Sequence, residues 1–281
     1  MKVGVVAVCY NAYDDCVKFL DSLLAAYRKA PDTLELAVAV CDNSSDLSGR
    51  DLVKNFEAPF HFLYKKLDNI GYFPAFYVGC QALRAMQGDF DFIIVTNVDL
   101  AVDQAFFSEL AELELSSDTG VVAPSILSMQ TGGDINPKII QRPSVFKLKL
   151  LRYGFSVLSF YRLHNWASVT KAKLKGLRGE SDKRRSARSN LPNMEMYGAH
   201  GSMMIFTKNY VDRGASFDYP RFLFGEEVFV AEEARLKGLK TIYAPQLKVY
   251  DGEHGSTSKE HDKFISGEHV KSYIYLIDKY F

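Results

Sequence analysis

An α/β fold with a doubly wound mixed sheet is predicted by three features of this 281-residue chain. Short apolar runs alternate with amphipathic segments through the first 130 residues, as strands and helices in turn would. Several of those runs break off into Asp, Asn and Gly, the residues expected where strand ends face a ligand crevice. No stretch reaches the ~18 uninterrupted apolar residues of a membrane span.

Val3 to Cys9 is the first strand, and Tyr10 and Asn11 end it. Met1 leads into it directly, so no signal peptide is expected. Val17, Leu20, Leu23, Leu24 and Tyr27 recur at helical spacing and predict the face of a first helix, closed by Pro31. Leu34 to Cys41 is a second strand, running into Asp42-Asn43-Ser44-Ser45-Asp46. Strand, helix and strand in this order predict a parallel pair with a right-handed crossover. Phe60, Phe62 and Tyr64 alternate as a third strand does, and Asp68-Asn69-Ile70-Gly71 breaks it. Pro74 suits the first turn of a helix, with Val78, Ala82, Leu83 and Met86 as its inner face.

Phe92 to Val95 is a buried strand that breaks into Asn97 and Asp99. Asp103 caps a helix carrying Phe106, Phe107, Leu110 and Leu113, and Gly120 to Pro124 is a further strand. Residues 131–192 depart from the alternation and form an excursion from the core, not a separate domain. Ser202 to Phe206 resumes it. Phe222 to Val228 opens a helix ending at Gly238, and two short strands follow, Thr241 to Ala244 and Leu247 to Tyr250. A closing helix carries Val270, Tyr273, Ile274 and Ile277.

The formal net charge is zero but unevenly spread. Lys138 to Arg188 holds fourteen basic residues against Glu180 and Asp182, a net of +12, so the remainder carries −12. Large apolar residues from Phe146 to Trp166 interleave with the basic ones, the composition of an interfacial segment on an anionic membrane surface or of a homo-oligomer interface. No nucleic-acid recognition motif accompanies it, so nucleic acid is not an expected partner. Cys9, Cys16, Cys41 and Cys80 lack metal-ligand spacing and suggest a reducing, cytoplasmic setting.

The chemistry concentrates at strand ends. Asp99 and Asn97 offer two oxygen ligands one residue apart, which suits Mg²⁺ or Mn²⁺ carrying substrate phosphates. Asp42, at the end of the second strand, is placed to hydrogen-bond a base or ribose. Asn69 and Gly71 face the same edge, with Gly71 permitting close backbone approach. Each of these alone also reads as an Asx turn. Glu226 and Glu227 begin a helix, where the dipole favours acids. Adjacent carboxylates also push one another's pKa apart, as a general base requires. Asp251 and His254 are candidate metal ligands or phosphate contacts.

These pieces resemble family 2 glycosyltransferases of the GT-A fold, and within them a bacterial rhamnosyltransferase-like group. The likeness rests on Val8-Cys9-Tyr10-Asn11, Asp42 to Asp46, Asn69-Ile70-Gly71, Thr96-Asn97-Val98-Asp99, Gly198-Ala199-His200-Gly201, Phe222 to Val228, and Val249 to Thr257, in the family's order. It implies a single GT-A domain over 1–281, with a nucleotide-sugar-binding half (1–130), a basic insertion (131–192), an acceptor and catalytic half (193–258) and a C-terminal helix (259–281).

The resemblance implies inverting transfer from a dTDP- or UDP-linked sugar to a glycan or polyprenyl-linked hydroxyl, in bacterial surface polysaccharide synthesis at the inner face of the plasma membrane. Tyr10, Asn11, Asp42, Asn69, Gly71, Asn97 and His200 would bind the donor. Asp99, with Asp251 or His254, would hold Mn²⁺ or Mg²⁺. Glu227 stands where the family has its catalytic Asp and would be the base, with Glu226 orienting the site. The Asp-to-Glu change also motivates an alternative, a non-catalytic nucleotide-sugar- or glycan-binding protein on the same fold. A nucleotidyltransferase is disfavoured, because no Gly-rich basic loop follows the first strand.

Overall fold

A computed structural model describes residues 1–177, 193–252 and 261–281. The first half follows the predicted alternation: β1 (Lys2–Cys9), α1 (Tyr13–Tyr27), β2 (Glu35–Asp42), α2 (Arg50–Lys54), β3 (His61–Lys66), α3 (Tyr72–Gln87) and β4 (Phe92–Asn97). After it come β5 (Leu100–Val102), α4 (Phe106–Ala111), β6 (Thr119–Ser128), α5 (Val145–Phe155) and α6 (Leu158–Leu177). The last part holds β7 (Met194–Met196), β8 (Met203–Thr207), α7 (Lys208–Asp212), α8 (Glu226–Leu236), β9 (Lys240–Asp251) and α9 (Asp262–Tyr280).

One mixed sheet carries the described strands in the order β3-β2-β1-β4-β8-β6-β9-β5, with β7 paired to β9. β1 to β4 are parallel, so their C-terminal ends share one edge. The register aligns them closely: Cys9 pairs with Asp42, Val8 with Asn97, and Asp42 with Lys66. β8 then runs antiparallel to β4, so the chain entering β8 starts from that same edge. β9 ends there as well, with Asp251 opposite Leu100.

The sheet is covered on both faces, which is why β1 and β2 are nearly continuous apolar runs and not alternating ones. On one face α1 packs Phe19, Leu20 and Leu23 with Phe106 and Phe107 of α4. On the other, α3 and α8 meet over Phe73, Phe76, Phe206 and Phe229. α3 buries Phe73, Phe76, Cys80 and Leu83, whereas Met86 is exposed. Of the predicted inner face only Leu83 is fully buried. Gly79 explains the turn of the helix: a Cβ there would stand 2.5 Å from Val6 and 2.6 Å from Cys41, so the helix axis lies close against the sheet at that point.

Three sequence expectations change. The two strands expected between Thr241 and Tyr250 are one twelve-residue strand, β9, with a register shift after Ala244 absorbing the break. β5 and β7, three residues each, were not foreseen. The basic excursion contains two helices: α5 and α6 pack Phe155 and Tyr161 against Ile265 of α9 in a third, smaller apolar cluster. The loop before them is fastened to the sheet. Asp134 accepts from Ser125 (2.6 Å), Tyr243 (2.5 Å) and two backbone amides, while Asn136 donates to the Pro124 carbonyl at 2.9 Å. No helix among the described residues is long and apolar enough to cross a membrane.

Candidate active site

The strand-end row is built largely from contacts within itself. Asn11, at a left-handed φ of 50°, accepts from the amides of Ser45 and Asp46, both at 3.1 Å, and so pins the loop leaving β2 to the loop leaving β1. Its own amide donates to Ser44 Oγ at 2.8 Å. Tyr10, beside it, is half-buried. Asp42 stands in the expected position but turns inward. Its carboxylate accepts from the Tyr13 hydroxyl at 2.8 Å, from the Tyr64 hydroxyl, and from the Ser44 amide at 2.9 Å, and the residue is fully buried. In this geometry it braces the crevice wall and offers no exposed oxygen to a base or ribose. Asn43, next to it, donates to the Gly71 carbonyl at 2.9 Å, while its buried Oδ1 meets no donor among the described residues.

Gly71 does permit a close backbone approach, but to the chain itself. At φ 97°, a Cβ there would fall 2.3 Å from the Phe222 carbonyl oxygen, which accepts from the Tyr72 amide at 3.0 Å. This contact ties the β1–β4 half of the sheet to the stretch leading into α8. Asn69 is exposed on the neighbouring loop.

Asn97 and Asp99 are half-buried at the turn between β4 and β5. The Asn97 amide donates to the Ser202 carbonyl at 2.9 Å, and the Asp99 carbonyl accepts from the Gly252 amide at 3.1 Å. Asp99 and Asp251 thus sit at adjoining strand ends, two hard oxygen donors of the kind Mg²⁺ and Mn²⁺ take together with substrate phosphates. No group of three metal-ligating residues gathers among the described residues, and His254 lies outside them. A site completed by diphosphate oxygens needs only one or two protein carboxylates, so the donor set fits such an ion.

Across the crevice, α8 begins at Gly225, whose φ of 86° lets the chain turn sharply into the helix. Its first two residues behave differently. Glu227 accepts from Lys138 Nζ at 2.8 Å and from the Gly201 amide at 3.2 Å. Burial pushes its carboxyl up, but Lys138 and these hydrogen bonds outweigh that and hold it below the usual carboxylate range. Glu226 lies against Gly201, where a Cβ would come within 2.4 Å of its Oε1. Burial, then the Glu227 charge, push it up to about 7. Like charges in a desolvated place cannot both ionise freely, and the lysine decides which one does.

Tyr72 joins the two sides. Its hydroxyl donates to the Gly201 carbonyl at 2.8 Å, and burial followed by the charges of Glu226, Asp99 and Glu227 raises its pKa far above normal. It therefore remains a neutral donor. His200 is also kept neutral, its pKa lowered to about 4 by burial and then by Lys138. Its Nδ1 accepts from the Ser202 amide at 3.2 Å, which assigns the proton to Nε2. Phe224, at φ 64° and two residues before Glu226, stacks on His269 at 3.8 Å.

A cavity of about 810 Å³ lies between α6 and α9, and neither Glu226 nor Glu227 lines it. It meets their wall through Phe264, packed edge-on against Phe222.

Nearly every expected site residue lies along this edge. Lys138, Tyr72 and His269 were missed, and Gly201 was read only as part of the Gly198-Ala199-His200-Gly201 motif. Lys138 is 89 positions from Glu227, and nothing local marks it as a partner.

A parallel nucleotide-type half joined by an antiparallel strand to a half bearing paired carboxylates is the architecture of GT-A glycosyltransferases. The glycosyl transferase family 2 model matches residues 4–212, and the chain belongs to that family. In fold it is similar to Staphylococcus aureus TarS 1–349 in complex with UDP-GlcNAc (TM-score 0.55, 12% identity), covering 98% of this chain and 66% of that one. It is also similar to GalNAc-T7 solved with UDP, GalNAc and Mn²⁺ (TM-score 0.62, 12% identity), covering 99% of this chain and 48% of that one. This chain thus spans about two thirds of the first and about half of the second. No curated protein matches it in sequence.

Proposed function

We propose that this glycosyltransferase moves a sugar from a nucleotide-diphosphate donor to an acceptor hydroxyl with inversion, and that Glu226 is the base. The observation that carries the reading is the split pair at the start of α8: one carboxylate paired with lysine, the other raised to about 7 and unneutralised. A base with a pKa near working pH is both available and strong enough to help. In this reading Glu226 takes the proton from the acceptor hydroxyl. The oxygen attacks the anomeric carbon opposite the leaving diphosphate, whose bond to that carbon breaks. Glu227 and Lys138 set the pKa of Glu226 and position Gly201.

The donor would lie along the β1–β4 ends, met by Tyr10, Asn11, Asn69, Asn97 and His200. Asp42 acts indirectly, by fixing Tyr13, Tyr64 and Ser44. Asp99 and Asp251, with His254 as a further candidate, would hold a divalent ion, which when bound offsets charge on the departing diphosphate. The neighbours solved with UDP-GlcNAc and with UDP and Mn²⁺ support a UDP-type donor and this ion by analogy. A dTDP-linked sugar is the other donor to test, given the rhamnosyltransferase-like motifs. The acceptor proposed is a glycan or polyprenyl-linked hydroxyl of a bacterial surface polysaccharide, reached from the cytoplasmic side.

Thermal-shift measurements over a panel of nucleotide-sugars, with and without Mn²⁺, followed by donor hydrolysis, test this. Stabilisation by one donor that grows with Mn²⁺, and slow hydrolysis of that donor, are expected. Stabilisation with no turnover, with or without acceptors, would leave the binding-protein alternative.

A further inference from the structure

We propose that the outer face of α5 and α6 docks on an anionic lipid surface. The sequence shows apolar and basic residues interleaved, and the fold sorts them. Leu148 is buried, and Phe155 and Tyr161 are buried against Ile265 of α9. On the opposite side Phe146, Leu150 and Tyr153 recur at helical spacing along α5, and Phe160, Leu163 and Trp166 form an arc on α6. These six are exposed, Phe146 at 77% and Trp166 at 66%. Gly154 holds the two helices together, since a Cβ there would meet the Phe160 ring at 2.4 Å, so the two stripes form a single surface.

Charge selects the occupant. Lys147 and Lys149 are exposed on α5 between the apolar positions, and no acidic residue occurs from Lys138 to Arg178. A two-fold dimer would set this patch against itself, cation facing cation. An anionic bilayer presents the opposite charge and takes aromatic and Leu side chains at its headgroup boundary. This inference stands apart from the sugar-transfer reading and is tested without it.

Trp166 is the chain's single tryptophan and lies on the face in question, so its fluorescence is a direct reporter. The whole protein is titrated with vesicles of phosphatidylcholine alone and of phosphatidylcholine with phosphatidylglycerol, at low and high salt. The emission should move to the blue with the anionic vesicles only, and the shift should shrink as salt rises, since surface attraction is screened. Phe146→Ser and Leu150→Ser, both at exposed positions, should each weaken partitioning by roughly tenfold, the worth of burying one such side chain. Circular dichroism checks that these variants stay folded. No shift with anionic vesicles at low salt overturns the proposal. So does an equal shift with neutral vesicles, or a blue emission without vesicles that tracks dimer mass in ultracentrifugation, which would assign the face to a second copy.

Discussion

The two walls of the crevice are held by different means. On the β1–β4 side, polar groups are satisfied by neighbours from adjoining strand ends: Asn11 by Ser45 and Asp46, Asp42 by Tyr13, Tyr64 and Ser44. On the α8 side, one glutamate is held by a lysine 89 residues away and the other is left to burial. The first wall is a scaffold whose polar groups are largely satisfied by one another. The second keeps a charge imbalance, and imbalance is what a proton-transfer group needs.

Five variants would break or sharpen this contrast. Asp99→Ala should have the largest effect, abolishing donor turnover with the circular dichroism spectrum unchanged, because Asp99 is a strand-end residue outside the core clusters. Full activity in a Mn²⁺-supplemented assay would remove it from the metal site. Glu226→Gln keeps the shape but loses the proton acceptor. It should lower kcat by roughly 10²–10⁴-fold, the usual worth of a general base, with donor affinity nearly unchanged. If Glu227→Gln gave that loss and Glu226→Gln did not, the roles would be reversed.

Gly71→Ala probes the joint between the walls. The new Cβ would collide with the Phe222 backbone at a φ that L side chains disfavour. A loss of about 1–3 kcal/mol from backbone strain alone is expected in chemical denaturation. A variant as stable as the parent would mean that the joint is loose.

Lys138→Met gives the subtlest effect, a displaced pH profile. For the parent, kcat should rise with pH through about 7 and then level, since Glu226 must lose its proton to act. Removing Lys138 deletes a cation that lowers the Glu226 pKa, so the rising limb should move to higher pH. Glu227→Gln deletes a charge that raises it and should move the limb to lower pH. Shifts of the same sign in both variants would refute the electrostatic account.

The scaffold wall was legible in the sequence because β1, β2 and β4 are buried on both faces and announce themselves as apolar runs, and their polar ends follow at once. Asp42 and Asn97 could be aligned from the sequence alone, and the register, with Cys9 opposite Asp42 and Val8 opposite Asn97, puts both at one edge, with Asp99 in the turn just beyond. Which way Asp42 points was not legible, because its partners Tyr13 and Tyr64 look like ordinary helix and strand aromatics. Nor was the division of labour between Glu226 and Glu227, which depends on Lys138. α5 and α6 escaped notice as helices for a related reason. Apolar residues occupy both their inner and outer faces, which blurs the 3.6-residue pattern.

The sheet order also bears on how the chain is made. β6 is ten residues long and almost wholly buried, and it lies between β8 and β9, both later in the sequence. β1 to β4 pair only with one another until β8 arrives, so that half can form while synthesis continues. β6 emerges from the ribosome with both edges open, and its neighbours follow some 75 and 112 residues later. Unpaired apolar strand edges are where nascent chains aggregate. Expression yield should therefore respond more to what shields β6 during that interval than to the stability of the finished fold.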